Sequence, residues 1–159
     1  GQPESSRTMI KSSKPSPVPY ATTLHVRDTC LCFHAQKAAR VLARIFDEAM
    51  RPYGLTNGQF SLMMSLNRPE PAAMGAIAQF LAMDRTTLTA ALKPLERRGF
   101  VEIAQDPQDR RSRLLKLTRR GLETLAAAVP VWEKKHTEVE KLLGAITPDD
   151  LRQGLRALS

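Results

Sequence analysis

Basic side chains are concentrated in one stretch of this sequence, where they could bind an acidic partner. Residues 85–120 contain ten Lys or Arg residues and four acidic residues, so this stretch carries most of the net charge of +8 of the 159-residue chain. A basic balance points to nucleic acid or an anionic membrane surface, although a solvated basic surface without a partner gives the same composition. The concentration of charge in one stretch favours a binding surface.

Residues 84–100, DRTTLTAALKPLERRGF, are predicted to form a helix with one buried face and one DNA-binding face. At 100° per residue, Leu88, Leu92 and Leu95 share the face that packs on the protein. The opposite face has small residues near its N-terminus and basic residues near its C-terminus. Such a helix can enter a major groove, where threonine hydroxyls bond to phosphates or base edges. The residues of this helix predicted to contact DNA are Arg85, Thr86, Thr87, Thr89, Lys93 and Arg97.

Pro94 lies inside this predicted helix. An interior proline removes a backbone hydrogen bond and costs roughly 3 kcal/mol. We expect it to free the carbonyl of Ala90 and to bend the helix before Arg97, which would adjust how the C-terminal end meets the DNA backbone. The alternative is that the proline is tolerated because Leu92 and Leu95 hold the helix down.

A second basic cluster lies in a predicted turn, QDPQDRRS, at residues 105–112. The flanking segments FVEIA and RLLKLT alternate like strands and predict a hairpin, with Val101 and Ile103 on one face and Leu115 and Leu117 on another. Arginine suits a narrow minor groove because the groove has a strongly negative potential. The residues of the hairpin predicted to contact DNA are Arg110, Arg111 and Arg113.

Asp109 is unexpected in a loop that binds DNA, because phosphates repel a carboxylate. We predict that it pairs with a neighbouring arginine and fixes the shape of the loop. The alternative is a solvated run of charges that contributes little.

The chain before this region changes character near residue 23. Residues 1–23 are rich in Ser and Pro and are predicted to form a flexible tail. From about residue 24 to residue 51, apolar residues such as Leu31, Leu42 and Ile45 recur at helical spacing and predict one long helix. A further apolar stripe widens its buried surface, so this helix needs more than one partner.

Capping signals predict where the other helices begin. The predicted N-cap residues are Thr56, which forms a capping box with Gln59, and Asp84, Thr118 and Thr147. MGAIAQFLAM is a short helix, and Gly99 ends the helix that Asp84 begins. The helix after Thr118 is predicted to run to about Leu143 with Pro130 inside it, and Pro148 opens the last helix.

These elements predict a mainly α fold with a small β-hairpin. Residues 56–118 read as a winged helix-turn-helix domain for DNA binding. Residues 24–55 and 119–159 form helices with more apolar surface than that small domain can cover. We therefore expect them to be dimerisation helices that pack together within a chain and between two chains.

The sequence LAMDRTTLTAALKPLERRGFVEIAQDPQDRRSRLLKLTRRG resembles the core motif of the MarR family of winged-helix transcriptional regulators. The Asp-x-x-Thr-x-Thr opening, LERRGFV and DRRSRLLKLT occur in the family's order, and the resemblance extends over roughly residues 25–157. It implies a homodimer whose recognition helices enter successive major grooves of a pseudo-palindromic double-stranded operator. By matching position, Arg111 would enter the flanking minor groove. The implied function is that of a sequence-specific repressor released by a small-molecule effector.

Effector release in this family implies a pocket between the dimer helices and the winged helix. A moderately apolar pocket near His and Lys would suit an aromatic acid or acyl ligand. The residues predicted to line it are Phe33, His34, Lys37, Phe60, Met63 and Met64.

Cys32 raises an alternative, a redox-sensing repressor of the same fold. LCF at residues 31–33 and TLTAALK resemble the branch of the family that senses organic hydroperoxides through a lone oxidised cysteine. That branch places tyrosine hydroxyls around the sulfur, whereas the matching places here hold Gln36, Asn57 and Phe60. Gln36 and Asn57 could replace some of those hydrogen bonds. A small buried thiol at an apolar helix position is the other interpretation.

Other classes of function find little support. Cys30 and Cys32 form no disulfide framework, would lie 200° apart on one helix, and with His25 and His34 fit no usual zinc spacing, so no metal or cofactor is predicted. The sequence contains no Gly-rich phosphate loop and no Ser-His-Asp pattern, so nothing in it suggests an enzyme. No apolar run approaches the ~20 residues of a membrane span, and no signal peptide is visible, so we expect a cytoplasmic protein. A winged-helix protein–protein adaptor is the alternative of another class.

Overall fold

The computed structural model describes residue 1 and residues 14–159, and the chain forms two compact units, residues 1–40 and 41–159. The fold is mainly helical with one small antiparallel sheet, which confirms the predicted fold class. Within the described residues, no helix is both long and apolar enough to cross a membrane.

Two helices stand where one was predicted. α1 spans Tyr20–Thr29 and α2 spans Leu31–Met50, so the single helix over residues 24–51 and the tail extending to residue 23 are corrected. The remainder of the predicted tail at residues 2–13 lies outside the described residues. Because the apolar spacing continues past residue 30, the sequence pattern gave no sign of the break.

Cys30 separates α1 from α2 by adopting an extended conformation with ψ 112°. Its amide donates to the Val26 carbonyl at 2.9 Å, and its own carbonyl accepts from the His34 amide at 3.1 Å. Its sulfur accepts from the Phe33 amide at 3.4 Å, so this residue ends one helix and caps the next. The predicted 200° separation from Cys32 on one helix therefore does not apply.

Unit 2 begins with the last ten residues of α2 and contains all the remaining elements. A 3-10 turn at Arg51–Tyr53 leads from α2 to the winged-helix elements. These elements are α3 (Asn57–Ser65), β1 (Ala72–Ala73), α4 (Met74–Phe80), α5 (Arg85–Arg97), β2 (Val101–Gln105) and β3 (Arg113–Leu117). The chain then forms α6 (Arg119–Glu140), a 3-10 turn at Lys141–Leu143 and α7 (Pro148–Ala157). α6 thus ends three residues before the predicted Leu143, and Pro130 lies inside it.

The predicted helix caps are confirmed. The Thr56 side chain accepts from the Gln59 amide at 3.1 Å, and the Gln59 side chain accepts from the Thr56 amide at 3.1 Å, which completes the capping box. The other three cap side chains accept from a backbone amide three residues later. They are Asp84, Thr118 and Thr147.

The sheet has the strand order β1-β3-β2, with both pairings antiparallel. Val101 is paired with Leu117, and Ile103 with Leu115. Because paired residues of antiparallel strands project to the same side, these four share one face, and the prediction of separate faces is wrong. β1 was not predicted, because its two residues are too few for any alternation to be visible.

The core of unit 2 lies between the end of α2, the helices α3, α4, α5 and α6, and the sheet. Leu88, Leu92 and Leu95 of α5 and Leu115 of β3 are fully buried in it. Gly121 in the first turn of α6 lies so close to the Phe100 carbonyl that a Cβ there would collide with it. The missing side chain lets the start of α6 approach the chain that leaves α5, where the Thr118 amide donates to the Phe100 carbonyl at 3.0 Å.

Candidate DNA-binding surface

α5 is oriented as its apolar spacing predicts. Leu88, Leu92 and Leu95 have no solvent exposure, so the helix rests on the core along that face. All of the residues predicted to contact DNA from this helix are solvent-exposed. They are Arg85, Thr86, Thr87, Thr89, Lys93 and Arg97.

Asp84 fixes the N-terminus of α5. Its carboxylate accepts a hydrogen bond from the Thr87 amide at 2.7 Å. The backbone and side-chain hydrogen bonds from Thr87 lower the pKa of Asp84 below its usual value. The carboxylate therefore stays charged where a negative charge favours a helix N-terminus.

The three threonines of α5 differ in what their hydroxyls bind. The Thr89 hydroxyl donates to the Arg85 carbonyl at 2.8 Å and lies 3.7 Å from the Met74 sulfur. The Thr87 side chain is close enough to Asp84 to lower the pKa of that carboxyl. Among the residues that the structure describes, the Thr86 hydroxyl has no such partner. Thr86 is thus the threonine best placed to bond to a base edge or phosphate, a distinction that the sequence pattern could not make.

The Arg85 side chain lies against Gly75 in the first turn of α4. A Cβ built on Gly75 would be 2.8 Å from the Arg85 Nη2 atom, so the absence of a side chain at residue 75 makes room for the guanidinium. The sequence pattern did not identify this role, because the glycine and the arginine lie ten positions apart and only the fold brings them together.

The wing comprises the loop between β2 and β3, at residues 106–112, together with Arg113, the first residue of β3. The Asp109 carboxylate accepts from the Arg111 amide at 3.0 Å, and the Asp109 carbonyl accepts from the Ser112 amide at 3.0 Å. Asp106 contributes a second such bond, from the Gln108 amide at 2.9 Å. Asp109 thus shapes the loop through backbone amides, and the predicted pairing with a guanidinium is corrected.

The wing arginines remain available to a ligand. Arg110, Arg111 and Arg113 are exposed, and within residues 14–159 none of them joins an ion pair. The Arg113 guanidinium donates weakly to the Arg110 carbonyl at 3.3 Å. Three accessible guanidinium groups, two on a loop with a fixed backbone and one on the first residue of β3, provide positive charge suited to a phosphate backbone or a narrow groove.

Two further arginines lie over Phe100, at the exit of α5. The guanidinium carbon of Arg98 is 4.6 Å from the ring centroid, and that of Arg120 is 5.6 Å away. Phe100 is only 4% exposed, so its ring provides a fixed surface for both cations. Neither arginine was among the residues predicted from the sequence.

The predicted redox and effector residues of unit 1 are all exposed in that unit: Cys32, Phe33, His34 and Lys37. The Gln36 side-chain nitrogen lies 3.3 Å from the Cys32 sulfur. Gln36 thus makes the contact with the sulfur that a tyrosine hydroxyl makes in the hydroperoxide-sensing branch. Asn57 is engaged elsewhere, since its side-chain nitrogen donates to Asp47 at 2.8 Å. No group of three or more potential metal ligands occurs in the described part of the chain.

The predicted effector residues of unit 2 are divided between core and surface. Phe60 and Met63 are buried, whereas Met64 is exposed. The Phe60 ring stacks on Trp132 with 6.2 Å between centroids, and Trp132 stacks on His136 at 4.7 Å. This aromatic row joins α3 to α6 and was not predicted as a unit.

A helix-turn-helix formed by α4 and α5, followed by the hairpin of β2 and β3, defines a winged-helix protein. The MarR family model matches residues 55–112, which include both helices, β2 and the loop that follows it. The transcriptional activatory protein BadR of Rhodopseudomonas palustris is 34% identical over 94 residues, covering 57% of this chain and 54% of BadR. The HTH-type transcriptional regulator YdcH of Bacillus subtilis is 31% identical over 102 residues, covering 62% of this chain and 69% of YdcH.

A solved structure is similar over most of the chain. The transcriptional regulator MosR of Mycobacterium tuberculosis, in complex with DNA, superposes with a TM-score of 0.74 and 33% identity, covering 81% of this chain and 92% of MosR. This chain belongs to the MarR family of transcriptional regulators. Membership confirms the resemblance inferred from the motifs and the prediction of a regulator, not an enzyme. The match spans about half the length of BadR.

Proposed function

We propose that this protein is a homodimeric repressor that binds a pseudo-palindromic DNA operator through α5 and the wing. The observation that carries the proposal is the division of α5, which buries three leucines and leaves Thr86, Lys93 and Arg97 exposed. The wing adds three arginines that have no ion-pair partner within the described residues. The similar MosR structure is a complex with DNA, which supports DNA as the partner.

The homodimer is supported by apolar surface that the single chain leaves exposed. In unit 2 this surface comprises Leu142, Ile146, Leu151, Leu155 and Leu158. In unit 1, the exposed residues Tyr20, Val26, Leu31 and Phe33 have the same character. Covering the exposed parts of these side chains would remove apolar surface from water at roughly 25 cal/mol per Å², which favours association with a second copy.

The DNA-binding part is tested by selecting duplexes from a random-sequence pool with the purified protein and measuring affinity against salt. We expect a palindromic consensus and an affinity that falls steeply as salt increases. A protein without measurable DNA affinity at low salt would refute the proposal and favour the adaptor function. With genomic DNA as its target, the protein would act in the cytoplasm.

Repression and effector release need separate tests. A reporter gene whose promoter overlaps the selected operator should be less active when the protein is present. An activator, as BadR is described, would instead raise reporter activity. Release is proposed because family members shift between DNA-competent and incompetent dimers, and a panel of aromatic acids and acyl compounds should identify a ligand that lowers operator affinity.

A redox function through Cys32 is the second candidate, favoured by its exposed thiol and the Gln36 amide 3.3 Å away. An organic hydroperoxide should then release the wild-type protein from its operator, and Cys32→Ser should remain bound. A wild-type protein that stays bound under peroxide would exclude this candidate while leaving operator binding intact.

A further inference from the structure

Two side chains, those of Asp47 and Arg98, stabilise the junction between α2 and α3 at residues 51–56. On one side, the Asp47 carboxylate of α2 accepts from the Asn57 amide at 2.7 Å and from its side-chain nitrogen at 2.8 Å. These two bonds fix where α3 begins relative to the last turns of α2. Between α2 and α3 the chain makes a 3-10 turn that ends at Gly54, which adopts the left-handed conformation with φ +67°.

Arg98 joins the end of the recognition helix to this same junction. It is the C-cap residue of α5, and its Nη1 atom donates to the Gly54 carbonyl at 2.6 Å. A Cβ on Gly54 would lie 2.6 Å from Nη2, so the glycine leaves space for the guanidinium as well as adopting the turn. Because Phe100 supports the guanidinium at 4.6 Å, the group is held on two sides.

Arg97 provides the contrast. It precedes Arg98 on the same helix end and is exposed, and within the described residues it makes no side-chain hydrogen bond or ion pair. The two adjacent arginines therefore carry the same charge but differ in what holds them: Arg97 is free to reach a phosphate, whereas Arg98 is bound to the protein.

We propose that Arg98 is a positioning residue for DNA recognition, which fixes the direction of α5 relative to the C-terminal turns of α2. This inference rests on the proposed function, because α2 then belongs to the region that joins the two subunits. In a dimer, the separation of the two recognition helices must match the separation of the half-sites. A loose connection at Arg98 would let each recognition helix tilt on its own subunit, and the preference for one half-site spacing would weaken.

The test compares Arg98→Met with Arg97→Met on duplexes selected by the wild-type protein. The same duplexes are also made with one base pair inserted or removed between the half-sites. Methionine keeps an apolar stem at either position and removes one positive charge. We expect the wild-type protein to lose roughly tenfold or more in affinity on the altered spacings, and Arg98→Met to lose less than about threefold.

Salt dependence separates positioning from direct contact. Arg97→Met should lower affinity on all spacings alike and reduce the salt slope by about one, as expected for loss of a phosphate contact. Arg98→Met should keep the wild-type salt slope. If Arg98→Met instead lowers the slope and keeps the spacing preference, Arg98 is a phosphate contact and the proposal is wrong.

Hydrogen exchange provides a readout that does not depend on DNA. Peptides covering residues 51–57 should exchange faster in Arg98→Met than in the wild type and should be unchanged in Arg97→Met. Unchanged exchange in Arg98→Met would overturn the proposal, even for a protein that binds no DNA. Failure of the wild type to bind any duplex would count against the proposed function alone.

Substitution of glycine residues tests the Arg98–Gly54 contact from the Gly54 side. Gly54→Ala places a methyl group on the Arg98 guanidinium, and Gly99→Ala is a matched control because its φ is +74° and nothing lies within 4 Å of its Cβ position. Both variants carry the strain of a left-handed alanine. Only Gly54→Ala should accelerate exchange at residues 51–57 and reduce the spacing preference, and equal effects of the two would contradict the role of the Arg98–Gly54 contact.

Discussion

The winged-helix segment buries most of its large apolar side chains, whereas α7 leaves its own exposed to solvent. Leu88 and Leu92 of α5 are fully buried, whereas no residue of α7 is buried and its Leu151 and Leu155 are 39% and 49% exposed. Both helices have an apolar stripe and a good N-cap, so local signals do not distinguish them. The difference shows which part of the chain supplies its own core and which part leaves an apolar face uncovered in the single chain.

The largest effect should come from truncating one leucine in each region. Leu92→Ala should lower the free energy of unfolding by about 2–5 kcal/mol, because it leaves a cavity in a packed core. Leu155→Ala should change it by no more than about 0.5 kcal/mol at protein concentrations where the chain is monomeric. Chemical denaturation of both variants measures the difference. A large loss for Leu155→Ala in the monomer would mean that α7 packs on its own chain.

The proposed dimer should be sensitive to charge on the apolar face of α7. Leu155→Glu should raise the dimer dissociation constant at least about tenfold, because burying an unpaired carboxylate opposes burial of the surrounding apolar surface. Gln153→Glu adds the same charge elsewhere on α7 and should have little effect. Sedimentation at several concentrations distinguishes the two. Equal self-association of both variants would place the interface elsewhere.

DNA affinity should depend on the wing more than on general charge. Arg111→Ala should weaken operator binding by about 1–3 kcal/mol, the order expected for one specific arginine contact, with the unfolding transition unchanged. Lys134→Ala on α6 removes the same charge outside the proposed surface and should alter affinity much less. Fluorescence anisotropy with the selected operator measures both. Equal losses of operator affinity in the two variants would mean that the wing contributes only general electrostatic attraction.

The helices of the winged-helix segment were predictable because their signals are local. Thr56, Asp84 and Thr118 cap the helices where the sequence places them, and Gly99 ends α5 with φ +74°. The division of α5 into buried and exposed faces also follows from spacing alone, since Leu88, Leu92 and Leu95 mark the inner face.

What the sequence could not show depends on contacts between distant residues. The Arg98–Gly54 bond joins residues 44 positions apart, and the Arg85–Gly75 contact forms only when α4 and α5 are folded. The strand register escaped prediction because alternation fixes which residues share a face within one strand, not which residues pair across strands. The break at Cys30 escaped because apolar spacing is insensitive to one extended residue.

The junction at Asp47 should add a pH-dependent contribution to the stability of unit 2. The side-chain and then the backbone hydrogen bond from Asn57 lower the pKa of Asp47 below its usual value of 3.8. A group whose pKa is lower in the folded state stabilises the fold above its usual pKa, and this stabilisation is lost as the pH falls through the folded-state value. Denaturation between pH 6 and pH 2.5 should therefore show a smaller loss of stability in Asp47→Asn than in the wild type. Parallel curves would mean that the Asn57 bonds do not favour the charged carboxylate.

The smallest effect we expect concerns Pro94, which lies inside α5 where spacing alone predicts an uninterrupted helix. The helix continues past it, since the Arg98 amide donates to the Pro94 carbonyl at 3.1 Å. Replacing Pro94 with alanine restores a backbone donor and should raise the free energy of unfolding by about 1 kcal/mol, less than the roughly 3 kcal/mol of an isolated helix because the buried leucines already hold this one. If the proline directs the C-terminal end of α5, Pro94→Ala should also lower operator affinity a few-fold by moving Arg97, and the salt slope should fall with it. A stability gain with unchanged affinity and slope would show instead that the core sets the direction of this helix.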